Sequence, residues 1–267
     1  MAHAQHLQFV QMAAKHLADD FLNIRILEIG SYNVNGSIRP FFSGGTYVGI
    51  DIIAGPDVDV VCPGETFADP DETYDLTLSC ECFEHNPKWY ETFLNMYRMT
   101  KPGGIVLFTC ATTGRLEHGT KRTLPTSSPG NQEVGWNYYR NLKQRDFTSR
   151  LAFADLFKEY TFLTNAASQD LYFIGRKHGA GHSLRLNMRS LVADYSIAAK
   201  ALQAELDAQS PYPQALRWIS RAAFSPLKVA EWFPDRQYQN IALVYIKAMS
   251  TLRRPVQRAY TRILGKR

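Results

Sequence analysis

Between residues 24 and 178, short apolar runs alternate with helical spacing, and this alternation limits the fold more than any other property of the chain. Residues 24–30 (IRILEIG), 46–51 (TYVGID), 57–62 (DVDVVC), 74–80 (YDLTLSC) and 104–111 (GIVLFTCA) are brief, rich in Val, Ile and Leu, and bounded by Gly, Pro or Asp. Runs of that length and composition read as buried strands. Residues 87–99 (PKWYETFLNMYRM) have helical spacing with Pro87 at a first-turn position, and KPGG at 101–104 ends the helix. The pattern predicts a parallel sheet covered by helices. Residues 160–164 and 171–176, joined by NAASQD, predict a hairpin that gives the sheet an antiparallel edge pair. A further helix is expected over 143–158, and an amphipathic one near the start, with Leu7, Val10, Ala14, Leu17 and Phe21 on one face. The first crossover has only GSIRPFF at 36–42, which leaves room for a short helix.

Composition narrows the function classes. With 45% hydrophobic and 21% charged residues, the chain is not generally disordered. It has no uninterrupted apolar stretch of about 18 residues, and the opening residues lack the charged-then-apolar pattern of a signal peptide. Cys62, Cys80, Cys82 and Cys110 are too few and scattered for a disulfide scaffold, so a cytoplasmic location is expected. Charge divides the chain: residues 1–178 hold 16 Lys/Arg against 20 Asp/Glu, and residues 179–267 hold 14 against 5. Two domains are therefore expected, an acidic body over 1–178 and a basic helical extension over 179–267.

The first strand ends in Glu28-Ile29-Gly30, followed by a polar loop, and the second ends in Asp51. In an open α/β sheet, ligands bind beyond the carboxyl ends of the strands where strand order reverses, and an acid ending the second strand can accept both hydroxyls of a ribose. The loop lacks the repeated glycines that let a pyrophosphate approach a helix N-terminus, and Glu28 would repel one. An acid there suits an ammonium or sulfonium.

On ILEIG with NG at 35–36, YVGID ending at Asp51, YDLTLSCECFEH at 74–85 and KPGG before GIVLFT, the chain resembles the class I S-adenosylmethionine-dependent methyltransferases over about residues 24–178. Tyr32 and Val34 stand where the usual loop has its second and third glycines. The loop ending Asn35-Gly36-Ser37 is most similar to a subgroup acting on sugar or glycan hydroxyls. The resemblance implies a Rossmann-like α/β fold, with a seven-stranded sheet whose last strand is antiparallel, and S-adenosyl-L-methionine as cofactor. It places Glu28 and Gly30 at the methionine part, with Asn35 and Gly36 in the binding loop, Asp51 on the ribose and Ile52 on the adenine. It also places Cys62 and Glu65 at the adenine rim, and backbone near Ser79 and Glu81 at the methionine amino group.

Methyl transfer to a hydroxyl needs a positioned acceptor and removal of its proton. Two histidines lie in the right region: His85, in CFEH, and His118, after the fifth strand. His118 is the candidate general base, and His85 is read as mainly structural or cofactor-adjacent. The polar stretch 112–135 shows no helical or strand period and reads as a binding loop. Arg115, Lys121 and Arg122 would favour an anionic group, and Tyr138 and Tyr139 in WNYYRN would suit a sugar ring. Cys80 and Cys82 have no companion ligands and read as small strand residues, so no resident metal is expected.

In the extension, helices are expected over 184–206, 214–224 and 239–252, with breaks at SPYP (210–213) and SP (225–226). The last helix would set Leu252, Val256, Tyr260 and Ile263 beside Arg254, Arg258 and Arg262. Such a face suits an anionic membrane surface or self-association, with nucleic acid ranked lowest. The expected function is O-methylation of a sugar or glycan. The alternatives are a small natural-product methyltransferase and a non-catalytic cofactor-binding module.

Overall fold

The computed structural model describes residues 3–181, 184–210, 219 and 222–264, with backbone alone at 21–23 and 252–264. Seven strands, β1 (Arg25–Ile29), β2 (Thr46–Asp51), β3 (Val60–Val61), β4 (Tyr74–Cys80), β5 (Thr100–Ala111), β6 (Phe157–Asn165) and β7 (Asp170–Lys177), form one sheet. Their order is β3-β2-β1-β4-β5-β7-β6. The strands β1 to β5 pair in parallel, and β7 is antiparallel to both its neighbours. Chain order runs outward from β1 through β2 to β3 on one side and jumps to β4 on the other. The crevice beyond β1 and β4 is therefore the place where such sheets bind ligands.

Side chains alternate across the sheet, and both faces are buried. Ile26, Leu76, Leu78, Ile105, Leu107, Tyr172 and Ile174 belong to one core. Leu27, Val106, Phe108, Leu171 and Phe173 belong to the other. A strand covered on both faces has no polar positions to spare, which is why these segments read as near-continuous apolar runs. The first core is closed by α1 (Ala4–Leu17), through Phe9, Val10, Ala13, Ala14 and Leu17, and by a later helix over Met188–Ala208. The second is closed by α2 (Trp89–Met99), whose Phe93, Met96 and Met99 lie one to two turns apart on one stripe. Aromatic rings fill the rest: Phe108 stacks on Phe147 at 4.7 Å and on Phe173 at 5.1 Å.

Several expectations shift. The third strand shortens to Val60–Val61, an exposed edge. The first crossover is a single 3-10 turn, Arg39–Phe42. Pro87 stands ahead of α2, where Asn86 Oδ1 accepts from the Lys88 N–H at 2.7 Å and sets the turn that starts the helix. The hairpin forms, but β7 inserts between β5 and β6, so of the pair β6 alone is an edge.

The helix expected over 143–158 is instead two short ones, α4 (Gln144–Thr148) and α5 (Phe153–Leu156), followed at once by β6. The turn between them carries the Arg150 guanidinium over the Tyr90 ring at 4.8 Å, and Phe157 packs on Phe173 at 5.2 Å as a strand residue. The stretch 112–135 is not structureless: it contains a 3-10 turn, Pro125–Ser127, and α3 (Pro129–Glu133).

The chain divides into Met1–Ser210 and Pro211–Arg267, so the boundary falls after Ser210 rather than after 178. The reason is α6 (Met188–Ala208), capped by Asn187, whose Oδ1 accepts from the Ser190 N–H at 3.0 Å. Leu191 and Tyr195 of α6 join the first core, and Gln8 Nε2 donates to the Ala198 carbonyl at 3.1 Å. The buried Arg176 guanidinium ties down the approach to α6 by donating to the carbonyls of Leu184 (2.7 Å) and Leu186 (2.9 Å).

The second unit contains α7 (Pro226–Ala230) and α8 (Asp235–Leu264). It has a small core of Leu227, Ala230, Tyr238 and Ala242. The helix expected over 214–224 lies mostly outside the described residues, as do the side chains from Leu252 through Ile263. No described helix is long and apolar enough to cross a membrane.

Candidate functional site

The turn after β1 is built around Gly30. Its N–H and that of Ser31 both donate to the Ile50 carbonyl, at 2.9 and 3.0 Å, which carries the chain tightly over the end of β2. Gly30 has a φ of +83°, and a Cβ there would lie 2.7 Å from Cys82 Cβ and Sγ, so no other residue fits. The carboxylate of Asp51, at the end of β2, is held by two backbone groups: Tyr32 N–H donates to Oδ2 at 3.1 Å and Ile52 N–H to Oδ1 at 2.7 Å. Burial pushes the Asp51 pKa up, against these backbone bonds. Asn33 Oδ1 accepts from the Gly36 N–H at 2.8 Å and shapes the rest of the loop. Glu28 is buried and accepts from the Tyr47 hydroxyl at 2.8 Å, and burial raises its pKa to about 7.

These pieces enclose one pocket at the carboxyl ends of β1, β2 and β4. Glu28, Gly30, Asn35 and Gly36 line it from the first loop, and Asp51, Ile52 and Cys62 from the β2 side. Glu81 and His85 line it from the segment after β4. Two expected residues stay outside. Gly64, not Glu65, lines the rim, and Ser79 is buried in the sheet, where its hydroxyl donates to the Ile29 carbonyl at 2.8 Å. The Glu81 N–H donates to the Thr109 carbonyl at 2.9 Å, so that backbone donor is committed to the sheet. The Glu81 side chain is what faces the pocket, buried, with neither carboxylate oxygen hydrogen-bonded.

The start of α1 reaches the same place, which sequence reasoning missed. His6 lines the pocket. His3 Nε2 lies 3.2 Å from Asp170 Oδ2 and 3.4 Å from Glu81 Oε2. Burial opposes a charge on His3, but those two carboxylates outweigh it and raise its pKa to about 9. His6, with burial dominant, is pushed down to about 3. A pKa raised on folding contributes stability that is complete below the ordinary histidine value and is lost as pH rises through about 9. Wild type is therefore expected to lose melting temperature between about pH 7 and about pH 10 more steeply than His3→Ala does. Parallel melting curves for the two proteins would contradict this.

The segment between β5 and α4 makes an excursion over the pocket and is tied at its neck. Leu142 N–H donates to the Ala111 carbonyl at 2.9 Å, Thr112 Oγ1 donates to the Leu142 carbonyl at 2.5 Å, and Asn141 Nδ2 donates to the Arg115 carbonyl at 2.8 Å. Within it, Ser127, Pro129, Gly130 and Trp136 line the pocket, and Asn131 Nδ2 donates to the His85 carbonyl at 2.8 Å.

This excursion brings His118 against His85. Their rings meet edge to face at 4.9 Å, and Tyr139 packs on both, at 5.4 Å from His85 and 5.0 Å from His118. His118 is buried, its Nδ1 donating to the Leu116 carbonyl at 3.0 Å. Burial pushes the His118 pKa down to about 4 and that of His85 well below the ordinary value. Both imidazoles are thus neutral at physiological pH, and His118 alone is a weak base there. Glu84, beside His85, is fully buried, and burial together with the Glu81 charge raises its pKa to about 8.

Two of the three expected anion-binding residues have side-chain partners within the chain. Arg115 donates to the Ser168 carbonyl and pairs with Asp170 at 3.2 Å, while Arg122 pairs with Glu117. Lys121 is exposed, and Tyr138 is half-buried beside Tyr139.

Comparison with known proteins adds the following. A sequence model of the family described as a methyltransferase domain matches residues 2–163. No curated protein sequence matches. Among solved structures, the chain is similar to the Burkholderia thailandensis 1,6-didemethyltoxoflavin-N1-methyltransferase, crystallised with S-adenosylhomocysteine. Identity is 14% over 64% of this chain and 79% of that one, with a TM-score of 0.44. It is also similar to the N-methyltransferase NodS of Bradyrhizobium japonicum, at 14% identity over 63% of this chain and 94% of that one, with a TM-score of 0.40.

Proposed function

This chain belongs to the methyltransferase-domain family, and from that membership we propose that it methylates a hydroxyl of a sugar or glycan acceptor, with S-adenosylmethionine as methyl donor. The observation that carries the reading is the pocket itself: it lies at the strand-order reversal, with the anchored Asp51 carboxylate on one side and Glu28 and Glu81 on the other.

The residues present fit the cofactor. Asp51 is fixed by two backbone N–H groups and can receive the paired hydroxyls of a ribose. The Glu81 carboxylate is buried and faces His3 through Oε2 at 3.4 Å, and its Oε1, without a hydrogen-bond partner, suits a donor such as an α-ammonium group. Ile52 offers an apolar surface for a flat base. When bound, S-adenosylmethionine supplies a methyl group on a sulfonium. The chain's own part is to hold the acceptor oxygen in line with that methyl and to keep water away.

His85, His118 and Tyr139 form the wall where the acceptor proton is handled. Trp136 and Tyr139 combine apolar faces with polar tips, a combination suited to a sugar ring. An acceptor screen tests this: purified protein, S-adenosylmethionine and a panel of sugars and glycans, read by mass spectrometry for the gain of one methyl. Methylation of a nitrogen or carbon acceptor, with none on hydroxyls, would replace the acceptor class. Cofactor binding without turnover on any acceptor would favour a binding module.

We assign the basic C-terminal region to docking on an anionic membrane surface, on the ground of its 14 Lys/Arg against 5 Asp/Glu after residue 178. The protein is expected to sediment with anionic liposomes, and less so without residues 251–267. Equal sedimentation of the two forms would remove the assignment.

A further inference from the structure

The excursion after β5 brings together three groups that the pocket's other features leave unexplained. Glu84 is 0% exposed, and His85 and His118 are each 6% exposed. Neither oxygen of Glu84, neither ring nitrogen of His85, nor Nε2 of His118 has a hydrogen-bond partner. A buried polar atom without a partner is costly, and three neighbouring residues that each carry one call for a common partner. One ligand atom from each residue lies within 4.8 Å of the other two. Around a cation with bonds of about 2.1 Å, ligand atoms stand roughly 3 to 4 Å apart, so a small side-chain adjustment closes the set.

We propose that Glu84, His85 and His118 bind a single divalent transition-metal cation at the acceptor end of the pocket.

The surroundings are those of a built site. The Nδ1 of His118 donates to the Leu116 carbonyl, which fixes the tautomer that leaves the Nε2 lone pair free. The backbone carbonyl of His85 receives Asn131 Nδ2, and that of Glu84 receives the Arg140 N–H at 2.9 Å. Tyr139 packs against both rings and limits their rotation. Gly119 lets the chain pass beside His85: its φ is +70°, and a Cβ there would lie 2.9 Å from His85 Cε1.

Two imidazoles and a carboxylate favour zinc, iron or manganese over calcium or magnesium, and three protein ligands leave a coordination position open. His85 lines the pocket, so that position is within reach of an acceptor oxygen, which the cation would polarise. This role rests on the methyltransferase reading; the binding of the cation does not. His3, His6 and Glu81 form a second group with ligand spacing, but His6 Nδ1 already accepts from the His3 N–H at 3.0 Å, and His3 faces Asp170.

The test uses full-length protein freed of metal by a chelator and titrated with Co2+ alone, followed by visible absorption, then displaced with Zn2+. Wild type is expected to take up one equivalent with a ligand-field spectrum. Glu84→Gln and His118→Ala should each weaken uptake at least about tenfold, equivalent to about 1.4 kcal/mol, while His6→Ala leaves it unchanged. Circular dichroism melting confirms that each variant is folded, and a variant that fails to fold leaves the wild-type and His6→Ala results to decide. Absence of uptake by wild type overturns the proposal, as does uptake that His6→Ala abolishes. Uptake that both folded site variants retain overturns it too. Binding of S-adenosylhomocysteine to the metal-free wild type, measured in parallel, separates the two readings. Cofactor binding without Co2+ uptake sinks the cation alone, and Co2+ uptake without cofactor binding sinks the methyltransferase reading alone.

Discussion

Asp51→Ala is expected to weaken S-adenosylhomocysteine binding at least about 10²-fold, because hydrogen bonds to a charged acceptor contribute about 1.5–3 kcal/mol each and a ribose makes two. The substitution also removes the acceptor that Tyr32 and Ile52 N–H groups share, so the turn after β1 loses part of its definition. Asp51→Asn keeps the shape and one carbonyl acceptor and should fall between the two. Isothermal titration with a parallel melting curve reads this directly. An affinity within about threefold of wild type in a folded Asp51→Ala protein, less than 1 kcal/mol, would mean that the β2 carboxylate is a structural cap for the loop and does not touch the cofactor.

His118→Ala is expected to lower turnover by about 10²–10⁴-fold, because the acceptor wall loses the Nε2 lone pair that takes the acceptor proton or, with the cation bound, holds the cation that polarises the acceptor oxygen. Cofactor affinity should stay within a fewfold of wild type, because His118 contacts the wall formed by His85 and Tyr139 and does not line the cofactor pocket. The split between the two readouts is the diagnostic. A loss shared equally by cofactor binding and turnover would point to collapse of the excursion over the pocket, and unchanged turnover would remove His118 from the chemistry. Burial holds the His118 pKa near about 4, so no loss of activity from its protonation is expected until the pH falls to that region.

The sheet was legible because its strands are covered on both faces and must be apolar throughout, as 104–111 is. The shape of the loop after β1 was legible because a turn at Gly30 and an acid at Asp51 answer to local geometry. Pairing order within the hairpin was not: connectivity makes β6 and β7 neighbours but does not say which one meets β5. Phe147, Phe153 and Phe157 sit at spacings compatible with a helix, and only their packing with Phe93 and Phe173 divides the segment into two turns and a strand.

The meeting of Glu84 and His85 with His118 was illegible for another reason. It depends on the path of an aperiodic excursion, which leaves no pattern in the sequence. The EH dipeptide was visible, but the burial of Glu84 was not. His3 and His6 passed unnoticed because two histidines near a helix start read as solvent-facing until the helix is docked on the sheet.

The knot of hydrogen bonds joining Ala111, Thr112 and Arg115 to Asn141 and Leu142 fastens together the two ends of the excursion over the pocket. A segment whose ends are already fastened together can be lengthened, shortened or exchanged at little entropic cost, since closure entropy grows only slowly with loop length. On the proposed reading, the stretch between these ties can therefore be altered to change acceptor preference without disturbing the strands or the turn at Gly30.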